Sequence, residues 1–143
     1  MKDPTTIMTS HKNTIFLGTD ICEIDRIQTI YDKYGEKFLK RTFTEGEIKY
    51  CINNPKQIAS RLAVRFATKE AVSKALGVGI NKIGWNKGVD WKDIEVLRNP
   101  NGGLSIKLYN KAKIFEEKLE IKYWAVSVSH SKRDAISTVI GYL

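Results

Sequence analysis

The spacing of apolar positions changes several times along this chain, and each change marks an element. Ile15-Phe16-Leu17 is an unbroken apolar run closed by Gly18, which predicts a short buried strand over residues 15–18 that ends near Asp20. From about Glu23 onward, Ile24, Ile27, Ile30, Tyr31 and Tyr34 recur at helical spacing until Gly35 stops them. A short helical piece carries Phe38 and Leu39. Thr44-Glu45-Gly46-Glu47 is then a capping box for a helix that stops before Asn53-Asn54-Pro55. The longest helix is predicted from about 57 to 76, closed by Gly77 in a left-handed cap. Residues 77–90 hold four glycines and read as an open loop. Residues 93–97 and 104–108 form a hairpin around Asn99-Pro100-Asn101-Gly102-Gly103. Asn110 is expected to cap a helix through about Leu119. A last hairpin pairs 123–128 with 135–140. The fold class is α+β, one long helix packed on a mostly antiparallel sheet.

At 143 residues the chain is one domain, with the patterned core beginning near Thr14 and residues 1–13 read as an unpatterned arm. A composition 42% hydrophobic and 28% charged excludes a disordered chain. No apolar run approaches the roughly 20 residues of a membrane span, so no membrane partner is expected. Met1-Lys2-Asp3-Pro4-Thr5-Thr6 lacks the apolar stretch of a secretory signal. Cys22 and Cys51 match neither a disulfide scaffold nor a zinc site, and together these features lead us to expect the cytoplasm.

Charge changes the picture more. Twenty-four Lys and Arg against sixteen Asp and Glu give +8, which favours a polyanionic partner: a nucleic acid, a phosphorylated small molecule or an acidic protein. On the long helix the charges do not gather on one solvent face. Glu70 and Lys74 are one turn apart beside the stripe Ala63, Ala67, Ala71, whereas Arg65 and Lys69 lie among Leu62, Val72 and Leu76. Glu70 and Lys74 are either an ordinary i,i+4 ion pair or a carboxylate holding a cation beside a phosphate-binding lysine. Gly77-Val78-Gly79 would let backbone approach such a ligand, although it closes a helix and is no Walker loop. Asp20, at the end of the first strand, suits a hard-cation ligand or a helix cap, and Glu23, Asp25 and Glu45 are further acids in reach. Ser129-His130-Ser131-Lys132-Arg133 is either a polar hairpin turn or a phosphate cradle.

These pieces, in this order, resemble the holo-acyl-carrier-protein synthase family of 4′-phosphopantetheinyl transferases. Gly18-Thr19-Asp20, with Arg26 six residues after the aspartate, matches the family's first signature. Arg65-Phe66-Ala67-Thr68-Lys69-Glu70-Ala71-Val72-Ser73-Lys74-Ala75-Leu76-Gly77 matches its long-helix motif, and Val126-Ser127-Val128-Ser129-His130-Ser131 its last. The chain departs from it at Gly102-Gly103-Leu104, where G-x-P is common, and in a longer stretch around residues 83–88. The resemblance implies Mg²⁺-dependent transfer of the 4′-phosphopantetheine arm from coenzyme A to a serine of apo acyl carrier protein, in support of fatty acid biosynthesis. The other product is adenosine 3′,5′-bisphosphate.

By the same resemblance, Asp20 and Glu70 hold the Mg²⁺ and Lys74 meets the pyrophosphate. Arg65, Lys69, Gly77, Ser129 and His130 line the coenzyme A site, and Arg26 docks the acidic carrier protein. It further implies a homotrimer with shared active sites, in which Asp20 and Arg26 face another subunit's long helix. The principal alternative is a basic α+β nucleic-acid-binding domain. It accounts for the charge but leaves Asp20 and Glu70 idle and shows no RNP, helix-turn-helix or KH signature, so no nucleic-acid partner is expected. A non-catalytic carrier-docking module would not need the Asp20, Glu70 and Lys74 set.

Overall fold

The computed structural model describes residues 14–81 and 87–143. The elements run β1 (Phe16–Glu23), α1 (Ile24–Tyr34), α2 (Glu36–Thr42), α3 (Glu45–Ile52), α4 (Ile58–Leu76), β2 (Ile94–Arg98), β3 (Leu104–Leu108), α5 (Asn110–Lys118), β4 (Tyr123–His130) and β5 (Asp134–Tyr142). Single 3₁₀ turns lead into α4 and β2. The strands form an antiparallel sheet in the order β1-β5-β4 and a separate β2-β3 hairpin. The α+β expectation therefore holds, with α4 as the centre of the molecule.

From Leu62 to Leu76 every residue of α4 is buried except Glu70 and Lys74. A helix enclosed on all sides needs no strong polar face, which is why its charges are scattered around the axis. The small residues Ala71 and Ala75 let β1 close on it. A Cβ on Gly18 would lie 1.8 Å from the Ala71 carbonyl oxygen, so this crossing accepts only glycine. One half of α4 packs with Ile27, Leu39, Phe43 and Cys51, the other with Ile80, Ile94, Leu108 and Val139.

Local chemistry fixes the helix ends as the sequence indicates. The Thr44 amide donates to Glu47 Oε1 at 2.9 Å while the Glu47 amide donates to Thr44 Oγ1 at 3.3 Å, a reciprocal capping box. Gly77 takes φ 76° and its amide donates to the Lys74 carbonyl at 3.0 Å.

Three expectations need correction. β1 runs on to Glu23, paired with β5 throughout, because Gly18, Asp20 and Cys22 continue the inward face that Phe16 begins; a polar inward residue hid that alternation. Asn110 does not cap α5. Tyr109 holds the cap position, and Asn110 sits at φ 49° with its amide donating to Asp93 Oδ1 at 3.2 Å. The last hairpin extends to His130 and Tyr142, leaving Ser131 to Arg133 as the turn. The arm 1–13 and most of the stretch around 83–88 lie outside the described residues. Among the described residues no helix is long and apolar enough to cross a membrane.

Among the described residues, nothing covers the sheet face turned away from α4. Leu17 is 62% exposed and Ile21 63%, beside exposed Ile136, Tyr123 and Tyr142.

Candidate active site

β1 and α4 cross at Gly18, which brings the next inward residue, Asp20, beside the last turns of the helix. The Lys74 ammonium donates to Asp20 Oδ1 at 2.9 Å and to the Thr19 carbonyl at 3.0 Å. Glu70, half-buried, lies one turn earlier on the same side of α4. Within the run Leu62 to Leu76, then, the two residues left in contact with solvent are those that border Asp20. A third signal locates the cluster. Burial pushes the Cys22 thiol up to about 11; Arg26 opposes the shift, while the carboxylates of Asp20, Glu23 and Glu70 reinforce it. These charges therefore surround one buried sulfur.

The donor set suits Mg²⁺. Asp20 and Glu70 are hard oxygen ligands, and among the described residues no group of three or more His, Cys, Asp or Glu gathers into a closed cage. An ion bound through one or two carboxylates keeps room for water and substrate oxygens, which is the way Mg²⁺ is usually held. Of the other acids in reach, Glu23 and Asp25 are exposed and Glu45 begins α3. Of the four, Asp20 is the one whose carboxylate is ion-paired with Lys74 of α4.

A second feature lies around the first half of α4. Arg65, 3% exposed, and His130 line a cleft of about 320 Å³ together with Arg61, Arg98 and Tyr50. Among the described residues no carboxylate lines it. Arg65 Nη1 donates to the Arg61 carbonyl at 3.3 Å, and its buried Nε has no partner. Arg65 is buried there while Arg61 is half-buried and Arg98 and His130 are exposed, and a buried guanidinium beside other cations is costly until an anion enters.

Arg65 and His130 are thus brought together as expected, but not every neighbour is. Ser129 lies on the opposite side of β4 from His130, since strand residues alternate, and it is exposed. Gly77 is the exposed cap three residues after Lys74, with open space where a side chain would stand.

Lys69 stands apart from both clusters within this chain. Its ammonium is fully buried, paired with Glu47 Oε1 at 2.8 Å and bonded to the Trp91 carbonyl at 2.9 Å. Burial lowers its pKa, with Glu47 opposing. It fastens α3 and β2 to α4. Arg26 is exposed on α1, its guanidinium 6.0 Å from the centre of the Phe66 ring, and it forms no ion pair with Glu23. Asp20 meets the long helix of its own chain through Lys74.

Sequence reasoning missed Tyr50, Arg61 and Arg98. Arg61 carried a signal, standing one turn before Arg65 on the same helix face. Arg98 and Tyr50 carried none, because the β2-β3 hairpin and α3 reach the cleft only through packing.

Fold and site together define an α+β protein that offers two carboxylates, a lysine and an arginine cleft to phosphorylated ligands. The chain belongs to the 4′-phosphopantetheinyl transferase superfamily, whose sequence profile matches residues 16–139. It is 43% identical over 123 residues to the holo-[acyl-carrier-protein] synthase of Gloeobacter violaceus, covering 86% of this chain and 89% of that one. It is 44% identical over 124 residues to that of Chlamydia muridarum, covering 87% and 91%. The crystal structure of Helicobacter pylori holo-[acyl-carrier-protein] synthase in complex with coenzyme A superposes with a TM-score of 0.73 at 33% identity, over 87% of this chain and 98% of that one.

Proposed function

We propose that this protein transfers the 4′-phosphopantetheine arm of coenzyme A to a serine of apo acyl carrier protein, releasing adenosine 3′,5′-bisphosphate. The observation that carries the reading is the pairing of Asp20 with Lys74, beside Glu70, where the buried run Leu62 to Leu76 opens to solvent. In the reaction the serine hydroxyl oxygen bonds to the phosphorus that carries pantetheine, its proton passes to solvent water, and the bond from that phosphorus to the bridging oxygen breaks, the electron pair leaving with the bisphosphate. Asp20 and Glu70 would hold Mg²⁺, which when bound would supply charge neutralisation on the pyrophosphate. The Lys74 ammonium, already 2.9 Å from Asp20, turns toward the pyrophosphate oxygens and stabilises the charge that collects on the departing bisphosphate. The arginine cleft with His130 receives the 3′-phosphate end of the nucleotide. Its unpaired Arg65 Nε and its lack of any acid favour an anion there.

The two halves of this site do not face each other within one chain. Lys74 follows Arg65 by nine residues, about 13 Å along the axis and roughly half a turn round it. One coenzyme molecule that fills both must therefore be shared by two chains. Asp20 lies on one edge strand of the sheet and His130 on the other, so a ring of copies would complete each site at a junction. The uncovered face of Leu17, Ile21, Ile136 and Tyr142 supplies apolar surface for that contact. This supports the shared-site homotrimer. The acidic carrier docks on α1, where Arg26, Lys33 and, beyond it, Lys37 are exposed. The compartment we propose is the cytoplasm, where the carrier and coenzyme A would be met.

The deciding experiment is mass spectrometry of apo carrier protein incubated with coenzyme A, Mg²⁺ and this protein. A gain of one phosphopantetheine is expected. An unmodified carrier, together with salt-sensitive retardation of duplex DNA in a gel, would overturn the reading in favour of a nucleic-acid binder.

A further inference from the structure

Tyr50 sits among the cations of the cleft in an arrangement that packing alone does not require. The guanidinium carbons of Arg61 and Arg65 lie 4.3 and 4.4 Å from its ring centre, and that of Arg98 lies 5.5 Å away. Two of the three are also tied to it by hydrogen bonds. Arg98 Nη1 donates to the Tyr50 hydroxyl at 3.0 Å, and Arg61 Nη1 donates to the Tyr50 carbonyl at 2.9 Å. Like charges this close repel one another, and among the described residues no carboxylate lines the cleft to hold them together. The negative faces of the Tyr50 ring are an attraction that all three share, and guanidinium groups stack on such faces.

We propose that Tyr50 is a positioning residue: it gathers Arg61, Arg65 and Arg98 from α4 and β2 into one array that reads a terminal phosphomonoester. The inference rests on the cleft receiving the 3′-phosphate end of coenzyme A. The ring holds each planar fork before the ligand arrives, so the ordering of three long side chains does not have to be met on binding. The phosphate then replaces the repulsion among the guanidiniums with charge-assisted hydrogen bonds, including one from the Arg65 Nε that now has no partner.

The test compares coenzyme A with dephospho-coenzyme A, the same molecule without its 3′-phosphate, in steady-state kinetics of the full protein. The parent protein should show a KM for dephospho-coenzyme A higher by roughly 10- to 100-fold, the cost of lost charge-assisted bonds. Tyr50→Leu should raise the KM for coenzyme A by about tenfold or more while leaving the KM for dephospho-coenzyme A and kcat nearly unchanged. Tyr50→Phe keeps the ring and releases only Arg98, so its shift should be smaller and again confined to coenzyme A. It serves in place of Tyr50→Leu if the latter does not fold. If the parent protein does not discriminate the two coenzymes, the cleft is not the phosphate site and the reading beneath this inference fails. If the parent discriminates and the Tyr50 variants do so equally well, or lose both coenzymes alike, the positioning role is overturned while the site stands.

Discussion

Lys74 reaches 54 residues back along the chain to place its ammonium 2.9 Å from Asp20, and the carbonyl of Thr19 accepts a second hydrogen bond from it at 3.0 Å. The Asp20 side chain is 18% exposed and that of Lys74 is 53% exposed, so the pair stands at the boundary between core and solvent. A carboxylate held this way is already oriented before any ligand arrives, and the cation that orients it can move onto a phosphate without leaving an unpaired charge deep in the core. At such exposure the pair itself adds little stability, on the order of 1 kcal/mol at most. Its value lies in the chemistry.

Glu70 offers the clearest probe of the metal. Glu70→Gln keeps the shape of the side chain and removes the charge that would hold Mg²⁺. We expect kcat to fall about 100-fold or more, which is roughly 2.7 kcal/mol at about 1.36 kcal/mol per decade, with little change in melting temperature. Near-normal turnover at saturating Mg²⁺ would take Glu70 out of the site.

Arg26 separates docking from chemistry. Arg26→Glu should raise KM for the carrier protein while leaving affinity for coenzyme A nearly intact, at about 2–5 kcal/mol for a contact buried in the complex and less at an exposed rim. Added salt should weaken the parent protein more than the variant, because the variant has less attraction to screen. A carrier KM and salt dependence that stay at parental values would end the docking assignment.

Lys69 tests whether burial overrides a motif. Lys69→Met strands the Glu47 carboxylate in the interior and should cost about 3–5 kcal/mol of stability in denaturant unfolding. Adding Glu47→Gln should recover part of that loss. The KM for coenzyme A, measured on the folded fraction, should not move. A variant of normal stability with a raised coenzyme KM would return Lys69 to the ligand site.

Cys51 gives a pH dependence with a definite sign. Burial holds its thiol at about 11 against an ordinary value of 9.0, with Arg65 opposing and Glu47 reinforcing. Between these values the unfolded chain releases the proton and the folded protein keeps it. Stability from this group is therefore present below about pH 9 and is lost as pH rises toward 11, by about 1.4 kcal/mol per pH unit. Lys69, its pKa lowered by burial, works in the opposite direction in the same alkaline range. The measurement is therefore the difference between parent and Cys51→Ala in unfolding free energy from pH 8 to 11. That difference should shrink by about 2–3 kcal/mol; a constant difference would refute the assignment.

What the sequence by itself determined was local. The capping box at Thr44, the left-handed cap at Gly77, the hairpin turn before Leu104 and the length of α4 all follow from interactions within a few residues, and each appears where the pattern places it. The motif around Glu70 and Lys74 was likewise legible, because helical spacing alone puts the two side chains one turn apart. Only the tertiary structure decided what the charges do. Lys69 and Lys74 are the same residue type five positions apart on one helix, yet one is sealed against Glu47 and the other is open to Asp20. The difference comes from where α3 and β1 cross α4. Likewise Asp20 was one of four candidate acids until the contact at Gly18 turned it toward the helix, and Tyr50 joined the arginine cleft only when α3 folded back against α4. Those crossings depend on packing between segments distant in the chain, which no local spacing encodes.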